Sequence, residues 1–144
     1  MTQEARRART PWPAVLMVLA VCLGVPTYFV YAYVSDAQTV KELPGPAAAY
    51  FDALIAGDHG KGYDLMCQSR RSWATREEWR GDRNMEPHVV GYRVIKGRVN
   101  RDTEGPISYS VEIELRYSDG GVERISLPMV QEHSAWKVCT DRGY

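Results

Sequence analysis

Asp52 and Asp64 are the residues best placed for chemistry, because each sits beside apolar neighbours in a helical stretch that brings a carboxylate near a core. Burial there would raise the pKa of the acid and equip it to move a proton at neutral pH. Tyr63 sets a phenol beside Asp64. A structural account competes with this one: Asp58 and Asp64 also suit the acidic ends of short helices, where a carboxylate interacts favourably with the helix dipole. The remaining chemistry is thinner. His59 and His133 fall in polar turns and His88 follows Pro87 at the start of a strand, so nothing brings the three histidines within reach of one proton. Ser69, Ser72 and Ser134 lack the glycines of a nucleophile elbow. Gly120-Gly121 reads as a turn rather than a phosphate loop. No catalytic signature rises above background, and no cofactor is expected.

Cys67 and Cys139 are the only cysteines outside a long apolar run. An oxidising compartment would allow them to pair, and two buried free thiols are the alternative. Two cysteines without a histidine at ligand spacing do not make a metal set. Trp73 lies beside Arg70 and Arg71 ahead of a capped helix, a composition common at interfaces, although packing over the mouth of the domain accounts for the Trp equally simply. Arg70, Arg71, Arg76, Arg80 and Arg83 interleave with Glu77, Glu78 and Asp82, which describes a solvated, self-paired helix surface. A nucleic-acid partner would need a clustered basic face.

The elements that must position these groups follow from periodicity. Pro46 suits a first helical turn, and Ala47, Tyr50, Phe51, Leu54 and Ile55 recur at three and four residues until Gly57. Gly60 and Gly62 flank a shorter helical stretch through Cys67. Thr75 and Glu78 have capping-box spacing, predicting a third helix from about Arg76 to Arg83 with Trp79 buried. The period then changes to two. Tyr109, Val111, Ile113, Leu115 and Tyr117 alternate with polar residues, Asp119-Gly120 make a hairpin turn, and Val122, Ile125, Leu127 and Met129 continue beyond it. An earlier strand holds Val90, Tyr92 and Val94, and a last one Trp136 and Val138. Helices followed by four antiparallel strands predict an α+β fold with helices on one sheet face.

Ahead of this domain, residues 14–34 are uncharged and would make a helix of about 31 Å, enough to cross a bilayer core. Arg6, Arg7 and Arg9 precede the run and Tyr28, Tyr31 and Tyr33 cluster at its far end. The arginine bias puts the N-terminus in the cytoplasm and the domain outside. A cleaved signal peptide is the rival, but its apolar region spans about 7 to 15 residues. A lipid anchor at Cys22 would need a small residue where Val21 stands. The organisation expected is a basic cytoplasmic segment at 1–13, the membrane helix at 14–34, a tether at 35–45 and an extracytoplasmic domain at 46–144. Net charge is zero at pH 7.

Tyr50 and Phe51, Ala53-Leu54, Gly57-Asp58, Tyr63-Asp64-Leu65 and the closing Trp136-Lys137-Val138-Cys139 resemble the nuclear transport factor 2-like superfamily, in particular small members anchored outside bacterial cells. The resemblance implies a curved sheet wrapped around a long first helix as a cone, and a disulfide between Cys67 and Cys139. It also implies that a catalytic group, if there is one, comes from Asp52, Tyr63, Asp64, His88 or Tyr92 inside the cone. Trp136 would close the wide part of the core. The expected role is a non-catalytic binding or interaction module of the cell envelope. Its partners would be membrane or envelope proteins, a small apolar ligand in the cone, or a second copy through the open sheet face. The alternative is a small isomerase or hydratase using a buried Asp and Tyr.

Overall fold

The computed structural model describes residues 12–82, 87–101 and 105–141. Arg6, Arg7, Arg9 and Arg83 of the sequence reading lie outside them. The chain divides into two compact units, Met1–Ser35 and Asp36–Tyr144.

The first unit is helical throughout its described length, as part of α1 (Trp12–Glu42). It is long and apolar enough to cross a membrane, and its large side chains, including Leu16, Leu23 and Phe29, are exposed. The helix continues through Pro26. Thr27 Oγ1 donates to the Leu23 carbonyl at 2.6 Å in that turn, the local satisfaction that lets membrane helices tolerate proline.

The second unit opens with the end of α1, which corrects the expected tether. Residues 36–42 are helical, Leu43 is fully buried, and Asp36 forms a two-pronged ion pair with Arg101 at 2.7 and 2.8 Å. Asp36, Ala37, Gln38, Lys41 and Glu42 carry no strong helix breaker, and a tertiary partner decides such a segment. Leu43 keeps a helical backbone and leads into α2 (Pro44–Ile55), with proline in its first turn. Next come α3 (His59–Asp64), α4 (Gln68–Arg71) and α5 (Arg76–Asp82). The predicted capping box is formed: Glu78 accepts from Thr75 N at 2.8 Å while Glu78 N donates to Thr75 Oγ1 at 3.3 Å. Trp79 is buried as expected.

Strands β1 (Val89–Asn100), β2 (Ser108–Tyr117), β3 (Val122–Glu132) and β4 (Ala135–Val138) form an antiparallel sheet in the order β1-β2-β3-β4. This α+β arrangement, short helices against an open antiparallel sheet, is the one implied by the nuclear transport factor 2-like resemblance. The inner face carries Val111, Ile113 and Leu115 from β2 opposite Leu127, Ile125 and Glu123 of β3. Leu43, Ala47, Tyr50 and Phe51 pack on it from the helices. Each fully buried large apolar side chain contributes about 1.5–3 kcal/mol relative to exposure.

Two places depart from the periodic reading. β1 has register irregularities between Val89 and Gly91 and between Val94 and Lys96. Such bulges shift the phase of alternation, so Val89 is buried while Val90 is 49% exposed. Gly97 lies where a Cβ would come within 2.6 Å of the Val40 carbonyl oxygen, so glycine is what lets the end of α1 approach β1. The hairpin turn is as predicted: Gly120 has φ +86 and Asp119 Oδ1 accepts from Gly121 N at 2.8 Å. At the other edge of the sheet, the segment after α3 forms a parallel bridge between Met66 and Val138. Cys67 N donates to the Val138 carbonyl at 2.8 Å, and Val138 N to the Leu65 carbonyl at 3.0 Å.

Candidate functional site

The acids singled out by sequence do not reach the interior. Asp52 lies on the exposed side of α2 and accepts from the Tyr92 hydroxyl at 2.7 Å. Tyr92 stacks on Phe51 with ring centroids 5.6 Å apart. Burial pushes its phenol up to about 12, and the hydrogen bond to Asp52 acts in the same direction. Asp64 is exposed and pairs with Arg76 at 2.6 Å. It is the last residue of α3, the end at which a helix dipole disfavours a carboxylate, so the guanidinium rather than the dipole holds it. Asp58 does cap α3, accepting from Lys61 N at 3.0 Å. Tyr63 is also structural: its hydroxyl lies 3.0 Å from both the Arg71 and Ala74 carbonyls, tying α3 to the α4–α5 segment. His88 is exposed at the start of β1, and its backbone N–H donates to Ser118 Oγ. Asp52 and Tyr92 are thus brought together; Tyr63, Asp64 and His88 do not join them.

Cys67 and Cys139 form a disulfide with Cα atoms 5.2 Å apart. Cys67 is fully buried immediately before α4 rather than on the preceding helix. Ser69 Oγ lies 3.2 Å from Cys67 Sγ and 3.4 Å from Cys139 Sγ. Trp73 is 83% exposed, which overturns its packing over the mouth of the domain. Arg70 reaches Asp141 at 3.9 Å. Arg71 is half-buried, with Nε enclosed and lacking a hydrogen-bond partner among the described residues. Of the proposed surface trio only Trp73 is exposed; Arg70 and Arg71 are both half-buried. Among the described residues, no group of three or more His, Cys, Asp and Glu side chains converges on a metal position.

A concave feature lies elsewhere, on the outward face of the sheet and reaching Val40 near the end of α1. Outward side chains form rows across β1, β2 and β3: Arg93, Glu114 and Arg124, then Lys96, Glu112 and Ser126, then Arg98, Ser110 and Pro128. Short residues in the lower rows leave an open groove of about 920 Å³, bordered by Lys96, Arg98 and Arg124. The hydrogen bond from Arg98, at 2.7 Å, holds Glu112 below the usual carboxylate range against the opposing effect of desolvation. Desolvation alone would raise Glu114, but hydrogen bonds from Arg93 and Arg124 outweigh it and leave that acid lowered too. Both stay ionised at neutral pH. Lys96 has no ion pair among the described residues. The sequence reading missed this groove because Ser108, Ser110 and Glu112 registered only as the polar face of a strand. The serine run was the available signal.

No family model and no curated protein matches the chain. Among solved structures it is similar to a Campylobacter jejuni protein, provisionally described as an NTF2-like transpeptidase, at 12% identity and a TM-score of 0.45. The match covers 68% of this chain and 98% of that one.

Proposed function

We propose that this is a single-pass membrane protein whose second unit is a non-catalytic binding or interaction module of the cell envelope, with the N-terminus cytoplasmic and residues 36–144 extracytoplasmic. The observation that carries the non-catalytic reading is the placement of the two carboxylates. Asp52 and Asp64 are both exposed, one engaged by Tyr92 and the other by Arg76. Meanwhile Leu43, Tyr50, Phe51 and Trp79 occupy the core between helices and sheet. A general acid or base works best with a pKa near the working pH. The Tyr92 phenol, pushed to about 12, is poorly matched to that task. The aromatic core likewise gives no support to a small apolar ligand in a cone. The charged outer face is a poor match for an apolar dimer interface.

The arginines before the apolar run support the orientation. Cross-linking in intact cells, followed by mass spectrometry of what stays attached to the full-length protein, tests the module reading. A reproducible envelope or membrane neighbour is expected. Absence of any neighbour, together with turnover of a substrate that Asp52→Asn abolishes, would replace it with the isomerase or hydratase reading.

A further inference from the structure

The groove on the outer sheet face combines three properties that together define a ligand chemistry. Its first property is charge. Arg93, Lys96, Arg98 and Arg124 stand against Glu112 and Glu114 on this face, a surplus of cations. The ion pairs engage the arginines, whereas Lys96, opposite Glu112 and acting on it only through space, makes no contact ion pair among the described residues and can meet a further acid group. The second is hydroxyl and amide lining. Asn100, Ser108, Ser110 and Ser126 line the depression, and each side chain both donates and accepts hydrogen bonds. The third is form. A volume of about 920 Å³ is within the range of small-ligand sites, yet the groove is open along the surface, which suits a segment of a chain rather than an enclosed molecule.

We propose that this groove binds an acidic polysaccharide, a sugar chain carrying carboxylates; the inference rests on the binding-module reading of residues 36–144. Carboxylates of the chain meet Lys96 and the outer guanidinium edges, while its ring hydroxyls meet Ser108, Ser110 and Ser126. An acidic peptide fits less well. Strand addition needs free backbone groups, and β2, the strand that carries Ser108, Ser110 and Glu112 through the middle of the groove, is paired on both sides. A protein partner would also meet charge where interface centres are depleted of it.

The test uses the full-length protein in detergent micelles, titrated calorimetrically at low salt with hexagalacturonate, with neutral maltohexaose and with hexaglutamate. Saturable binding of hexagalacturonate is expected, at least tenfold tighter than either control and weakening with salt, since exposed charges are screened. Lys96→Gln should weaken it about tenfold, the scale of one hydrogen bond to a charged group. Lys96 is exposed and has no ion pair to lose, so the variant folds; Arg98→Gln, checked by its melting curve, gives a second reading of the same loss. No binding, equal binding of hexaglutamate, or indifference to Lys96→Gln would each overturn the proposal. Cross-linking of the wild-type protein in cells separates the two levels. Protein neighbours retained without hexagalacturonate binding sink the groove and leave the module, whereas loss of every neighbour in wild type sinks the module itself.

Discussion

The Tyr92 hydroxyl donates to Asp52 Oδ1 across 2.7 Å, joining β1 to α2 at the surface. Burial and this bond raise the phenol from 10.0 to about 12. A group whose folded pKa exceeds its unfolded value contributes stability that is fully present below the unfolded value and is lost as pH rises through the folded one. Tyr92→Phe should therefore cost about 1 kcal/mol at neutral pH. The gap to wild type should close between pH 10 and about 12. Melting curves of both proteins across that range check it: no gap at neutral pH would mean the contact contributes nothing, and a gap that stays constant would mean the phenol is not raised.

Removing the disulfide should be more costly. Cys67 and Cys139 are separated by 72 residues, for which chain entropy assigns about 4 kcal/mol. Denaturant titration of the Cys67→Ser, Cys139→Ser double variant measures this. Alkylation of denatured wild-type protein without reductant should add a label at Cys22 alone, the free cysteine.

Gly97→Ala should destabilise by about 1–3 kcal/mol, since the added carbon meets a backbone carbonyl that cannot rotate away. Gly45→Ala is the control. It has open space around its Cβ position within α2, so the restriction that Pro46 places on a preceding residue with a Cβ is the one added cost, and the change should stay below about 1 kcal/mol. Thermal melts of the pair distinguish close approach from a general glycine effect.

Trp73→Ala should change stability by less than about 0.5 kcal/mol, as for surface positions away from special features. A larger loss would show that the indole packs on the domain after all.

A reporter fused after Tyr144 should behave as extracytoplasmic, following the arginine bias of the leading segment. Activity of a cytoplasm-only reporter at that position would reverse the orientation.

Much of the fold was legible where local and tertiary forces agree. β2 alternates without interruption because one face packs on the helices, and the Thr75–Glu78 cap and the Asp119–Gly120 turn are local chemistry that spacing alone encodes. What escaped depends on distant partners. Residues 36–42 read as a polar tether because the features that hold them, Arg101 for Asp36 and the missing Cβ of Gly97, lie some 60 residues along the chain. In β1, Tyr92 and Val94 pack on the core as expected, but Val90 was misplaced because the bulge between Val89 and Gly91 leaves no signature in an apolar–polar pattern. Asp64 was expected near the core from its neighbours Tyr63 and Leu65, yet in a helix adjacent residues point about 100° apart. The groove needed three strands in register before its serines and cations could be seen as one surface.

The bridge between Met66 and Val138 also sets an order of assembly. A ribosome delivers the helical half first, and Cys67 then carries a thiol whose native partner is absent until residue 139 has been made. Throughout that interval any thiol in the same compartment competes for it. Closure across so long a separation is among the slower steps of folding, and the finished staple shows at least that the chain has been made through residue 139. A chain halted before β4 would lack both the hydrogen bonds to Leu65 and Cys67 and the sulfur that secures them, leaving a half-built protein chemically distinguishable from a finished one.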